Sequence, residues 1–507
     1  MPGLNSNESY LALIERRGQY ARFLRCGSSL KNLQDKFIGR TLLNRPAIIA
    51  ILCAALVAVD AQCQIYPDMP PGMGPQPVNR GYTTPEERKG EVIAQVTSTA
   101  LRIARANAQK RTGASKPGVA AVRAELARLF GLRTSSTIND NTVLLKGISA
   151  NGPRLRMAIS KGLAKRIEPN YKIYAFQAAP NDTFYRFGLM WGLANTGASG
   201  GVADVDVDAP EAWTVTEGNS EVVVAVIDTG VSQTHIDLKS RLWENPREIP
   251  GNNLDDDNNG FIDDVRGWDF IGNDNIPSDA NKHGTHVAGT IAAERNNGRG
   301  IVGVAPGVRI LSLRVLGADG AGDLAGVMKS MQYVLALRKA GVNIRVINLS
   351  LGGGPAIESF KQIITDLDRA GVLVVAAAGN ENSDNDAKPV YPASYDVRNV
   401  VSVAAIDSKG ALASFSNFGA NSVDFAAPGV FIWSTIPFGF YFFLDGTSMA
   451  APHVSGVAAL VFSVNPSLQP AQVAAILRSS VKRLPGLEGK MAAPGVVSAA
   501  KALSLAR

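Results

Sequence analysis

The sequence predicts an α/β protein built on a mostly parallel β-sheet with helices on both faces. Two observations carry that expectation. From residue 222 onward, short runs rich in Val, Ile and Ala recur: VVVAVID, VRILSLRVLG, the stretch from Ile344 to Gly352, VLVVAAAGN, VVSVAAID and VDFAAPG. They are apolar throughout and do not alternate, as expected of strands covered on both faces. Helical stretches and Gly-rich turns separate them, the spacing that parallel crossovers need.

The totals agree. At 507 residues the chain exceeds one ordinary domain, and with 46% apolar against 19% charged residues it can bury a large core. The net charge of +7 is unevenly spread: residues 1–180 carry +15 and residues 181–507 carry −8. No aromatic-and-basic motif accompanies the basic part, so no nucleic-acid partner is expected. Two segments of opposite sign attract each other instead. Cys26, Cys53 and Cys63 all precede residue 64, which excludes a cysteine nucleophile or a Cys-ligated zinc in the rest of the chain.

Taken in order, residues 1–61 contain a 13-residue apolar run, Ala47–Val59, after Arg40 and Arg45. It is too short to span a bilayer but suits a signal peptide cleaved after Ala61, or an uncleaved anchor. Its long polar lead is atypical of a signal. Residues 62–90, rich in Pro and Gly, read as a linker. Residues 91–130 show apolar positions at three- and four-residue spacing and are expected to be helical. NTVLLKGIS reads as a strand, GPRLRMAISKGLAKR as a basic helix and IEPNYKIYAF as a second strand.

Three segments place reactive groups at strand ends or helix starts. Asp228 closes VVVAVID, His283 opens HGTHVAGTIAA, and Ser448 stands at the head of the helix in GTSMAAPHVSGVAAL. A serine nucleophile needs a base within reach and a carboxylate to orient that base. A helix N-terminus adds free N–H groups where negative charge develops. Asn380, ending VLVVAAAGN, offers an amide donor to the same oxyanion. Alone, each has a plainer reading: a turn Asp, a structural His, an N-cap Ser. His283 and His286 lack the Glu of a zinc HExxH motif, and His235, His286 and His453 are expected to pack or bond structurally.

Together, DTGVSQTHID, HGTHVAGT, SLGGG, AAAGNE and GTSMAAPHVSGVAAL resemble the signature segments of the subtilisin-like serine protease family, over roughly residue 181 to the C-terminus. The related serine-carboxyl peptidases carry Glu where His283 stands, so that branch is excluded. The resemblance implies a serine endopeptidase acting on peptide or protein substrates. In it Asp228 orients the imidazole, His283 is general base and acid, Ser448 is nucleophile and Asn380 holds the oxyanion. It implies that extended substrate pairs with Gly320-Ala321-Gly322 and Ser350-Leu351-Gly352. Ala378, Gly379 and the stretch from Val390 to Ala393 would line the primary pocket, with Val390 shortening it toward medium apolar side chains.

GNNLDDDNNGFIDD offers Asp255, Asp257 and Asn259 at alternate positions, then Gly260, Asp263 and Asp264, like the first half of an EF-hand loop. Arg266 stands where the bidentate Glu would be, so structural Ca²⁺ competes with a solvated acidic loop. By resemblance, Asp237 and Asn297 form a second calcium site. The resemblance also implies that residues 91–179 hold a small α+β pro-segment, an intramolecular inhibitor of the peptidase domain at 180–507. It would be cleaved near Ala178–Ala179 in a secreted zymogen. Only residues about 142–176 match such a segment well, and 91–130 read as an extension. Two alternatives are a selective processing protease anchored in the membrane through residues 47–59, and a non-catalytic binding protein on the same fold.

Overall fold

The computed structural model describes residues 87–130, 135–139, 141–146, 153–171 and 179–507. The apolar run at 47–59, most of the 62–90 linker, the three cysteines and Ala178 lie outside them.

An α+β unit comes first. Its elements are β1 (Glu87–Val96), α1 (Ser98–Thr112), α2 (Val119–Leu129), β2 (Ser135–Asn139), β3 (Thr142–Lys146), α3 (Pro153–Ser160) and β4 (Ala164–Tyr171). The sheet order is β2-β3-β1-β4, every pairing antiparallel. This is the split βαβ arrangement, with one extra helix between β1 and β2.

Two expectations are corrected. The start of the stretch expected to be helical, 91–130, is strand: Val92, Ala94 and Val96 are buried at a period of two, with Ile93 and Gln95 on the other face. The true helix start is marked by Thr97, whose hydroxyl accepts from Ala100 N at 3.1 Å. The region is thus no separate extension, because β1 sits centrally between β3 and β4 and shares one core with them. Likewise α3 stops at Ser160, and Ala164–Arg166, read as helix, open β4.

The C-terminal fold opens with short helices α4 (Thr183–Arg186) and α5 (Ala209–Trp213). Its strands are β5 (Val223–Asp228), β6 (Gly267–Asp269), β7 (Arg309–Arg314), β8 (Ile344–Leu349), β9 (Leu373–Ala377), β10 (Val400–Ile406) and β11 (Phe425–Pro428). A hairpin of β12 (Ile432–Ile436) and β13 (Phe440–Leu444) stands apart, and β14 (Lys482–Arg483) and β15 (Gly495–Val496) complete the main sheet. Its order is β14-β15-β11-β10-β9-β8-β5-β7-β6. All pairings are parallel except β14 with β15. Each of the six apolar runs contributes a strand to this sheet.

Every residue of β5, β8, β9 and β10 is buried, and the side chains of β5 divide alternately between two cores. Val224 and Val226 meet α6 (His283–Ala292) and α9 (Thr447–Val464) on one face. Val223, Ala225 and Ile227 meet α7 (Leu324–Lys339) and α8 (Glu358–Arg369) on the other. Each fully buried Val or Ile contributes roughly 1.5–3 kcal/mol by leaving water, so the sheet fixes its own register. Helices α10 (Pro470–Ser479) and α11 (Ala499–Leu505) finish the chain. Helix α9 is apolar and long enough to cross a membrane by composition, yet its strongest window is 83% buried, which makes it the core helix of this fold. Parallel strands deliver their carboxyl ends to one edge, and Asp228, Ser350 and Asn380 all sit at or just beyond such ends.

Candidate active site

β5 ends on Asp228, which is wholly buried. Its Oδ1 accepts from Thr229 N at 2.7 Å and from His283 Nδ1 at 2.8 Å. The approach of α6 depends on Gly284: a Cβ there would lie 2.1 Å from Gly230 O and 3.1 Å from Asp228 Oδ1. Gly230 in turn has φ 95° and passes under Pro277, whose carbonyl a Cβ would meet at 2.7 Å.

Asp279 fastens the start of α6. Its Oδ1 accepts from Thr229 Oγ1 (2.9 Å), Asn281 N and Lys282 N, and its Oδ2 accepts from Thr285 N and Oγ1. Burial alone would lower the pKa of His283. The carboxylate of Asp228, its hydrogen bond and the charge of Asp279 outweigh that and raise it above the ordinary value. Sequence reading missed Asp279, although an Asp just upstream of a helix start is a capping signal.

Ser448 occupies the second position of α9. Its Oγ donates to Ser350 O at 3.1 Å, and Ser350 Oγ donates back to Ser448 O at 2.7 Å. Asn380 is pinned by its oxygen, which accepts from Thr447 N and Thr447 Oγ1, each at 2.9 Å. That leaves its Nδ2 turned toward Gly446. A Cβ on Gly446 would lie 3.5 Å from Ser448 N and 3.7 Å from Asn380 Nδ2, so both donors flank the same small space. Gly446 has φ 153°, a conformation that disfavours any side chain there.

Of the residues expected to bind extended substrate, Gly320, Ala321 and Gly322 are exposed in a turn closed by Gly317 N donating to Ala321 O. Asn281 Nδ2 donates to Ala318 O, tying this turn to the segment before His283. Ser350 is buried, Leu351 half-buried and Gly352 exposed. Val390 packs its Cγ1 3.3 Å from where a Cβ on Gly352 would stand. Gly379 is half-buried with φ 114°. Ala378 differs from expectation: its side chain lies in a core cluster with Ala404, Val423 and Ala426, its N–H bonds Val403 O, and its carbonyl accepts from Asn385.

The structure regroups the acidic loop. Glu248, Asp257 and Asp264 converge, with one carboxylate oxygen from each within 4.8 Å of the others. Glu248 is 6% exposed, and its Oε2 has no hydrogen-bond partner. Asp264 is fully buried and accepts from Asn245, Asn259 and the Tyr333 hydroxyl; burial pushes its carboxyl up and those bonds pull it back. Asp255 and Asp263 are not in the cluster. Asp255 accepts from Asn259 N and Gly260 N, and Asp263 from Gly251 N and Asn253 N, so they shape the loop backbone. Asn259 turns its amide N–H to Asp264 and would have to turn over to offer its oxygen to a cation.

At the second expected metal position, Asn297 Nδ2 donates to Asp237 Oδ1 at 2.6 Å, and Asp237 is fully buried. Asp182, unforeseen in the sequence, lies close enough to feel its charge. Burial, then the neighbouring Asp237, raise the Asp182 carboxyl to about 6 despite several backbone hydrogen bonds, and its Oδ1 has no partner. A third acidic group, Asp204, Asp206 and Asp208, already has its cation: Lys482 Nζ lies 2.7 Å from Asp208 and within 3.5 Å of the other two.

The remaining histidines are structural. His286 Nε2 lies 2.8 Å from Ile432 O, His453 Nδ1 lies 2.8 Å from Met449 O, and His235 bridges Phe440 O and Asp237 N.

Parallel sheet, strand-end Asp, a His that opens a helix and a Ser at a helix head together define the class of α/β serine hydrolases. Residues 219–495 match the subtilase family model, and the chain belongs to that family of serine endopeptidases. It is 41% identical over 303 residues to a thermophilic serine proteinase of Bacillus sp. (strain AK1), covering 59% of this chain and 64% of that one. It is 38% identical over 297 residues to thermitase of Thermoactinomyces vulgaris, covering 59% of this chain and 93% of that enzyme. Among solved structures, a protease of Pseudoalteromonas arctica aligns with a TM-score of 0.53 and 29% identity, over 65% of this chain and all of the other.

Proposed function

We propose that the chain hydrolyses peptide bonds through an acyl-enzyme on Ser448, after release from its own α+β segment. The 2.8 Å bond between His283 Nδ1 and Asp228 Oδ1, beside a helix that opens on Ser448, carries this reading. That bond holds Nδ1 protonated and leaves Nε2 as the free base. The Ser448 hydroxyl gives up its bond to Ser350 O, passes its proton to Nε2 and attacks the scissile carbonyl. Asn380 Nδ2 and Ser448 N receive the oxyanion, since both face the pocket that Gly446 keeps open. The imidazolium then protonates the leaving amine, and water repeats the sequence to release the acid. Substrate pairs as a strand between residues 320–322 and 350–352, with Gly379 and Val390 bounding the pocket beyond.

The α+β unit at 87–171, basic in a chain whose remainder is acidic, suits an intramolecular inhibitor cleaved near Ala178–Ala179. Secretion rests on the run at 47–59. The full chain with Ser448→Ala is expected to stay unprocessed and inactive toward denatured protein. The wild type is expected to start between residues 170 and 190 by N-terminal sequencing. A processed Ser448→Ala chain contradicts self-cleavage.

Ca²⁺ fits two places by donor chemistry. Glu248, Asp257 and Asp264 would hold one ion, and Asp237 and Asp182 another, joined by Asn297 only if its amide turned over to offer its oxygen, since the orphaned Glu248 Oε2 and Asp182 Oδ1 each need a cation or a proton. There the ion would neutralise buried carboxylates and fasten surface loops. Chelation is expected to lower the melting temperature, and Glu248→Gln to remove part of that shift. A melting curve unmoved by chelator removes calcium from the account.

A further inference from the structure

Helix α9 carries Pro452 four residues after Ser448, so the N–H that would bond the Ser448 carbonyl within the helix is missing. A neighbouring strand supplies the donor. Ser350 Oγ, just past the end of β8, donates to Ser448 O at 2.7 Å. Ser350 Oγ itself accepts from Asn348 Nδ2 at 2.9 Å, and Asn348 Oδ1 accepts from Ser455 Oγ at 2.8 Å. Ser455 lies seven residues after Ser448 on α9, two turns along the same face. The bonds therefore run from the helix to the strand and back to the helix. Asn348 and Ser455 are fully buried, and Ser350 is 4% exposed.

The direction of this ring follows from its protons. Ser455 has one hydroxyl proton and spends it on Asn348 Oδ1. That contact turns the amide nitrogen to Ser350 Oγ, which leaves the Ser350 proton for Ser448 O. Without the Ser455 hydroxyl, the buried amide oxygen has no donor. Turning the amide over restores one by taking the Ser350 proton, and the Ser448 carbonyl is then left unpaired.

We propose that Ser455 is a positioning residue of the active site: through Asn348 and Ser350 it holds the backbone that carries the nucleophile. Ser350 also receives the Ser448 hydroxyl on its carbonyl, so the ring locks nucleophile and substrate strand together. The inference rests on the reading of Ser448 as nucleophile.

The test compares wild type, Ser455→Ala, Ser455→Thr, Ser350→Ala and the Ser350→Ala/Ser455→Ala pair. It reads peptide-hydrolysis kinetics and the second-order rate of fluorophosphonate labelling. Ser455→Ala is expected to lower kcat and the labelling rate by roughly 3- to 10-fold, the worth of one hydrogen bond, with KM unchanged. Ser455→Thr is expected to restore both. The double variant is expected to be no slower than Ser350→Ala, because both changes break one ring. Ser455→Ala with wild-type kcat, or losses that multiply in the double variant, overturn the proposal. If Ser455→Ala does not accumulate folded, Ser455→Cys, with its weak S–H donor, replaces it under the same criteria. A wild type that is never labelled at Ser448 defeats the nucleophile assignment instead, a distinguishable result.

Discussion

At the scale of single residues, the site depends on groups whose orientation is fixed by what they bond behind them. Asn380 can aim its nitrogen at an oxyanion because its oxygen is already held by Thr447. Asn380→Ala is therefore expected to lower kcat on the order of 10²–10³-fold, a magnitude taken from the equivalent loss in subtilisin itself. It is also expected to lower the melting temperature, since Thr447 N loses its acceptor; steady-state kinetics and a thermal melt check the two parts. A kcat within a few-fold of wild type would remove Asn380 from the oxyanion site. The positions of Asp228, His283, Asn380 and Ser448 at strand and helix ends could be read from the sequence because their flanking runs are strongly patterned. Asp182 could not, since its partner Asn296 lies in a distant segment, nor could Glu248, which stands outside the acidic run it joins; Asp279, bonded to the nearby Asn281, Lys282 and Thr285, did leave a capping signal.

At the scale of elements, glycine decides how closely α6 approaches β5. With a Cβ on Gly284 only 2.1 Å from Gly230 O, Gly284→Ala must push the helix start away from Asp228. The expected cost is about 1–3 kcal/mol, read from the urea midpoint, with a loss of activity greater than the stability change accounts for. Unchanged stability and activity would show that α6 has room to spare. The six apolar strands were legible because strands buried on both faces leave a continuous signal. β1 was not: VIAQV carries a two-residue period too short to stand out beside the helical pattern that follows, and its central place comes from pairing with β3 and β4. The acidic loop misled in a different way. Alternating Asp and Asn residues suggest ligands, yet Asp255 and Asp263 satisfy loop N–H groups while Glu248, outside the run, turns inward.

At the scale of the whole molecule, buried neutral histidines make the fold sensitive to acid, and the raised carboxyl of Asp182 works the other way. Burial lowers His286 to about 3 and His453 to about 4, with backbone carbonyls opposing only in part. Below their ordinary value of 6.5 the unfolded chain takes up protons that the folded chain refuses, so stability falls as pH drops from 6.5 toward those values. Melting temperatures at fixed ionic strength are expected to decline over that window, and His453→Gln is expected to flatten the decline. An equally steep slope in that variant would place the acid sensitivity elsewhere.

Fluorophosphonate labelling of the processed protein, followed by mass mapping of the adduct across pH, tests the central assignment most directly. The account predicts one adduct, on Ser448. It also predicts a rate that rises with pH through a midpoint above the ordinary 6.5 of histidine, because the Asp228 and Asp279 charges favour the imidazolium that must first deprotonate. His283→Ala should abolish the reaction. A folded, processed protein that takes no label, or takes it equally well without His283, would contradict the account.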